Sequence, residues 1–223
     1  MGFDFQYMLG LMPILLKYLS ITIELACWGM VLAIILSVII ANIRVFRIPV
    51  FDQICQLYIS YFRGTPLLVQ LFLFYYGLPQ IFPVMTGMDA YSAAILGLAL
   101  HFSAYMAETI RAAITGVDRS QMEASLSIGM TTVQSMRRII LPQASRIALP
   151  SLMNYFIDMI KSTSLAFTLG VAEIMAKAQM EASSSFHYFE AFLAVSFIYW
   201  GITIILTRIQ SWAEHKLNKA YMR

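Results

Sequence analysis

Ionisable groups in otherwise apolar stretches are where this sequence could do chemistry: Glu108 with Arg111, Asp158 with Lys161, and Arg63 beside Gly64, Thr65 and Pro66. Residues three apart share a helix face, so each acid can neutralise its own base. A charge near the centre of a bilayer costs roughly 2.5 to 3.5 kcal/mol on insertion scales, so these groups, and Glu24 with them, are expected to face protein or water. The chemistry on offer is the holding of charge. Bond-making chemistry would need a nucleophile or a metal cluster, and the scattered His and Cys residues supply neither.

Each grouping has two readings. Asp158 and Lys161 form a structural pair, or they line a cavity near a subunit interface together with the hydroxyls of Ser162, Thr163 and Ser164. Small hydroxyl residues also favour close helix contact, so they do not separate the two. At 63–66, Thr65 can cap a helix and Pro66 suits its first position. The free amides and positive dipole end of such a start attract a carboxylate. Glu108 pairs with Arg111 or holds an ammonium group. Asn154 reads as a pore or interface hydrogen-bonder and His101 as a satisfied interior histidine. Tyr75, Tyr76 and Trp200 fit an interfacial aromatic belt.

The elements that must position these residues are membrane helices. Charged residues are 12% of the chain and hydrophobic ones 60%, with mean hydropathy +0.72, far from the composition of a soluble domain. Uncharged runs cover 25–43, 64–88, 90–107 and 191–207, each close to the length that crosses a bilayer. A further run, interrupted by Asp158 and Lys161, completes five expected spans at about 17–43, 56–80, 90–114, 147–171 and 188–210. The expected fold class is all-α and membrane-embedded, with residues 1–223 forming one domain.

Lys and Arg orient the spans, because positive residues collect in short cytoplasmic loops. Arg44, Arg47 and Arg63 follow the first span, and Arg111, Arg119, Arg137, Arg138 and Arg146 surround the third connection. Arg208, Lys216, Lys219 and Arg223 close the chain. The amino terminus is therefore expected outside and the carboxyl terminus inside. The first residues lack a basic leader and a cleavage site, so the first span is expected to be retained. The net charge of +3 is accounted for by the inward loops and gives no reason to invoke nucleic acid. Cys27 and Cys55 lie in or beside apolar segments and read as packing residues, not as a disulfide framework.

One polar connection is long, at about 115–146, and it is organised. Asp118 or Ser120 can cap a helix on which Met122, Leu126 and Met130 share a face. Gly129 supplies a left-handed turn or a close backbone approach. A second short helix is expected at about 132–140, with Pro142 where it stops or a new one begins. The pattern predicts a helix, turn and helix projecting from the membrane, either as a docking element or as a hairpin lying on lipid headgroups.

Within this loop Glu123, Ala124, Ser125, Gly129, Ile139, Leu141 and Pro142 make the pattern E-A-S-x-x-x-G, nine residues, I-x-L-P. It resembles the coupling-loop signature of the integral-membrane permease subunits of bacterial ATP-binding-cassette importers, with Ser125 where that family usually has Ala. Residues 63–67 resemble the R-G-T-P-L start of a span in polar amino acid permeases, and 141–150 resemble L-P-Q-A-x-R-I-A-L-P. Lys161, Thr163, Ser164 and Leu165 resemble K-D-T-S-L, with Ser162 in place of the usual Asp. The similarity covers essentially the whole chain and looks closest to polar amino acid and cystine permeases.

The resemblance implies a type I importer fold in the bacterial inner membrane. The implied partners are a second permease subunit, identical or related, two ATPases docked on the coupling helices, and an extracytoplasmic binding protein that delivers an amino acid. It also implies that Glu123, Ala124, Ser125, Gly129, Arg137 and Pro142 serve coupling, and that an amino acid is the guest of the path residues. The chain has no G-x-x-x-x-G-K phosphate loop, so ATP and magnesium are expected on the partner, with no cofactor and no enzymatic activity here. The competing class is a secondary carrier or channel, which would need its own coupling-ion site, usually with more spans and inverted repeats.

Overall fold

The computed structural model describes residues 3–219, with side chains to residue 216; Arg223 of the carboxyl-terminal basic group, and the side chain of Lys219, lie outside it. Helices follow one another with short connections: α1 (Phe5–Leu16), α2 (Leu19–Val45), α3 (Phe51–Gly64), α4 (Leu67–Phe72), α5 (Leu78–Ile81), α6 (Ala90–Thr115), α7 (Arg119–Ser127), α8 (Thr132–Ser135), α9 (Leu141–Ser162), α10 (Ile174–Ser185) and α11 (Tyr188–Lys219). By length and composition α2, α6 and α11 can each cross a membrane, and two bent pairs bring the number to five.

Four of the five expected spans agree with single helices or their direct continuation, α9 running on as a 3-10 turn over Thr163–Leu169. The second does not. Instead of one helix over 56–80, α3 and the segment Leu67–Ile81 meet at 111°. A composition count registers how many apolar residues follow one another and is blind to a change of direction. Thr65 also departs from its expected capping role: it is the C-terminal cap of α3, its hydroxyl donating to Tyr61 O at 2.8 Å, and Pro66 is the N-cap of α4. The α1 helix was not among the expected spans, and at 12 residues it is too short to be one.

Gln70 holds this break. It is fully buried, and its amide nitrogen donates to Phe62 O, Thr65 O and the Thr65 hydroxyl at 3.0, 3.1 and 2.7 Å. The carbonyls freed where α3 stops are thereby satisfied without water, which apolar surroundings require.

Helix packing rests on small residues. Ala26, Gly29, Ala33, Ser37 and Ala41 form a buried stripe on α2, and Ala93, Ala94, Gly97, Ala104 and Ala107 are buried on α6. Lipid chains are as apolar as leucine, so close backbone approach and dispersion replace the aqueous hydrophobic effect as the cause of association. At Gly97 a Cβ would come to 2.5 Å from Leu71 Cδ2, so any side chain there would force Leu71 of α4 to move.

Among the described residues two turns of π-helix interrupt the regular pattern, at Leu73–Gly77 and Met136–Ile140. Both run directly into a Leu-Pro pair. Leu78 N–H bonds to Leu73 O and Leu141 N–H to Met136 O, five residues back, and Pro79 and Pro142 follow. Proline has no N–H and its ring crowds the carbonyl four residues earlier; widening the turn by one residue passes over the missing donor. The short helix expected at about 132–140 is therefore only α8 plus a wide turn, and Pro142 opens α9 without a break in the chain's helical course.

At the opposite end of α9 the 3-10 turn stops at Gly170, whose φ of +95° is left-handed. Glu173 caps α10, accepting from Ala176 N–H at 2.8 Å and from the Tyr199 hydroxyl at 3.2 Å while completely buried. It ties α10 to α11, and nothing in the sequence pattern marked this acid as an interior one. The connection expected between 173 and 188 as a short helix and a loop is α10 with a turn at Phe186 and His187. Cys55 is buried as expected, whereas Cys27 is exposed on α2; both thiols are free.

Candidate functional site

The α7–α8 hairpin is built from local signals. Asp118 caps α7, its carboxylate accepting from Ser120 N–H at 2.9 Å; that amide donor holds the carboxyl below its usual range. The helix ends at Gly129, with φ +86°. Met130 N–H bonds to Ser125 O at 3.1 Å and Gly129 N–H to Leu126 O at 3.0 Å, the pair of bonds that closes a helix through a left-handed residue. No atom lies within 4 Å of where a Gly129 Cβ would sit, so within the chain the glycine serves the turn and not a close approach. Thr131 then opens α8 with a reciprocal capping box to Gln134.

Glu123, Ala124, Gly129 and Arg137 are exposed, while Ser125 is turned inward at 2% exposure. Met122 packs with Met136 and Ile139 against a small core made by Ile114, Val117 and Ile140 at the end of α6 and the start of α9. Leu126, expected on the same face, is 44% exposed. Ile128 and Val133, at 78% and 74% exposure, are apolar side chains held out on the tip of a polar element. Sequence reasoning passed over both; their signal was position, Ile128 directly before Gly129 and Val133 two residues after the Thr131 cap.

The second candidate region is a polar face crossing α3, α6 and α9. Asn154, Asp158 and Lys161 are all exposed and recur along one face of α9, with Lys161 Nζ 2.6 Å from Asp158 Oδ1. On α6 the guanidinium of Arg111 grips Glu108, at 2.7 Å from Nη2 and 2.8 Å from Nε. Arg63 lies over the Tyr105 ring, 5.4 Å from its centroid. Tyr105 and Tyr155 are 6.2 Å apart between centroids, and Tyr155 shares a hydrogen bond with Thr109 at 3.1 Å. These two tyrosines join the face without having been singled out from sequence. Within the hydroxyl run, Thr163 is completely buried and donates to Ile160 O at 2.6 Å, whereas Ser164 is partly exposed and donates to Lys161 O at 2.7 Å. Ser162 is half-buried at the helix end. At 63–66 Gln70 bonds the carbonyl and hydroxyl of Thr65, so Thr65 is engaged within the chain. His101 is half-buried and bonded to Gln70 through Nδ1, the interior histidine it was expected to be.

Residues 29–219 match the model of the family described as binding-protein-dependent transport system inner membrane components. The chain is 78% identical over 223 residues to a probable amino-acid ABC transporter permease protein, PatM, of Vibrio harveyi, with both chains covered in full. It is 36% identical over 226 residues to the L-cystine transport system permease protein TcyL of Bacillus subtilis, covering 100% of this chain and 95% of that one. A chain of a solved amino acid ABC transporter with histidines superposes with a TM-score of 0.90 at 35% identity, covering 97% of this chain and 100% of the other. The chain belongs to the family of inner-membrane permease components of binding-protein-dependent ABC transport systems.

Proposed function

We propose that this chain forms half of the translocation path of an ATP-driven amino acid importer and receives its driving force through the α7–α8 hairpin. The observation that carries the reading is the exposed tip of that hairpin, where Glu123, Ala124, Ile128, Gly129 and Val133 lie on a well-capped element joined to α6 and α9. Exposed isoleucine and valine beside an acidic residue suit a protein groove better than water. The partner is a separate ATPase that holds ATP and magnesium; two of them, a second permease subunit and an extracytoplasmic binding protein complete the assembly. The hairpin and the basic residues of the inner loops lie on the cytoplasmic side of the bacterial inner membrane, with the amino terminus outside.

The amino acid substrate is supported by the named activity of relatives that match end to end. The path follows the polar face on α3, α6 and α9: in lipid such a face has no partner, so it borders water or the second permease subunit. An amino acid presents one carboxylate and one ammonium, and Arg63, Glu108, Asn154, Asp158 and Lys161 offer both signs of charge along that face. ATP brings the ATPases together, the hairpins follow, and the bundle alternates between two states that the binding protein and the nucleotide both bias.

Reconstitution with the cognate ATPase and binding protein tests this directly. ATP-dependent uptake of L-cystine or L-histidine into proteoliposomes is expected, and substitution of both Ile128 and Val133 by Asp is expected to release the ATPase while leaving the permease in the membrane. Undiminished co-purification of the ATPase with that double variant would remove the docking assignment.

A further inference from the structure

The hairpin that presents the docking tip contains a buried polar contact. Ser125 on α7 is 2% exposed and Ser135 at the end of α8 is completely buried, and their hydroxyl oxygens are 2.7 Å apart. Ser125 Oγ also lies 2.7 Å from Met122 O, and Ser135 Oγ lies 3.0 Å from Thr131 O. Two hydroxyl protons serve three contacts. Ser125 donates to Ser135, and Ser135 in turn donates to Thr131 O, which links the helices. The arrangement in which each hydroxyl turns to its own helix carbonyl would leave the two serine oxygens 2.7 Å apart with no proton between them, and is disfavoured for that reason.

This link matters because of what surrounds it. The tip of the hairpin, at Leu126, Ile128, Gly129, Thr131, Thr132 and Val133, is exposed, so tertiary packing does not fix α7 against α8 there. Met122 and Met136 rest on the core formed by α6 and α9, at the base. Without the serine pair, the relative position of the two short helices would rest on the turn and on the packing of Met122 and Met136 at the base. With it, α7 and α8 move together, and the wide turn Met136–Ile140 is the joint between them and α9.

We propose that Ser125 and Ser135 are positioning residues for coupling, whose hydroxyl pair makes α7 and α8 a single lever that passes a push on the docking tip into α9. The inference rests on the docking role proposed for the hairpin. Its variants are clean ones. In Ser125→Ala the Ser135 hydroxyl still has Thr131 O as acceptor, and in Ser135→Ala the Ser125 hydroxyl still has Met122 O, so neither leaves a buried donor unsatisfied.

The test is amide hydrogen exchange on the assembled complex in nanodiscs, with and without a non-hydrolysable ATP analogue. In the native complex the analogue is expected to change exchange at 170–173, just beyond the 3-10 turn that continues α9. In Ser125→Ala, exchange over 126–135 is expected to rise about five-fold, the loss of one net hydrogen bond, and the analogue's effect at 170–173 is expected to disappear while the ATPase still co-purifies. Ser135→Ala should match it, and the double variant should add little, because both remove the same contact. A full response at 170–173 in Ser125→Ala overturns the lever even if local exchange has risen. A native complex in which the analogue changes nothing at 170–173 overturns the coupling reading beneath it, an outcome distinct from the first.

Discussion

Gln70 Oε1 lies 3.0 Å from His101 Nδ1, and together the two residues pin the 111° bend after α3 to α6. Because the Gln70 amide nitrogen already faces three oxygens near Thr65, its own oxygen must accept, and the imidazole must carry its proton on Nδ1. One buried side chain thus ends α3, shapes the entry to α4 and reaches a neighbouring helix.

Replacing Gln70 with Leu should cost about 2 kcal/mol, since Phe62 O, Thr65 O and His101 all lose a partner in apolar surroundings. Gln70→Glu should be worse than Gln70→Leu when the added acid is ionised, because a carboxylate would face two carbonyl oxygens where an amide donor stood. His101→Phe removes only the last bond and should be milder than either. Thermal unfolding of the purified permease in detergent would rank the three, and equal stability of Leu and Glu variants would contradict this account of the bend.

The same bend shows where sequence reasoning stopped. Span positions at 90–114 and 188–210 were legible because length and apolarity decide them, and α7 was legible because Asp118 and Gly129 act through their own neighbours. The signal in Gly64, Thr65 and Pro66 marks a helix start, and α4 does begin at Leu67; the end of α3 and the 111° turn are not in it, since Gln70 reveals its function only once α3 and α6 lie beside it. Glu173 was illegible for the same reason: its partner Tyr199 is on another helix. For Thr163 and Ser164, composition allowed a cavity lining or helix packing; burial assigns Thr163 to packing, while Ser164 stays partly exposed and bonds only its own helix.

Gly129 separates backbone from surface effects. Its φ of +86° penalises any Cβ, although space for one exists. Gly129→Ala should therefore destabilise the turn by about 1 kcal/mol, and Gly129→Asn by less, because Asn tolerates the left-handed region. Gly129→Asp shares that tolerance but adds a second negative charge, with Glu123, to the exposed docking tip. It is expected to abolish ATPase binding while the permease stays in the membrane, and Gly129→Asn should retain binding. Co-purification of the ATPase with the Asp variant at native yield would refute the assignment of this turn to docking.

Charge on the polar face should matter for transport more than for assembly. Lys161→Ala leaves Asp158 without its partner at 2.6 Å, and Glu108→Gln weakens the grip of Arg111. Both pairs are partly exposed, at 52% and 53% for Lys161 and Asp158, so water can resolvate the orphan and the folded bundle should survive. A misplaced charge worth about 1.4 kcal/mol in the path would lower uptake about ten-fold. Uptake and complex yield measured side by side decide it: native uptake by both variants would take these residues off the path.

Pro142 offers the most direct test of how the hairpin is joined to the bundle. The wide turn over Met136–Ile140 precedes a residue that cannot donate, as does the one over Leu73–Gly77. In Pro142→Ala an N–H appears at 142, with Arg138 O four residues before it as the natural acceptor of a regular helix. The turn can then tighten, and closing it by one residue would rotate α7 and α8 by about 100° relative to α9 if the rest of the hairpin stays intact. Such a rotation would carry Ile128 and Val133 away from their present direction. Spin labels at 128 and on α6 should report a changed distance in Pro142→Ala, together with loss of ATPase binding and little loss of thermal stability. An unchanged distance would mean that packing of Met122 and Met136 against the α6 and α9 core, and not the proline, keeps the turn wide; Met136→Ala in the same background would then be the variant that moves the hairpin.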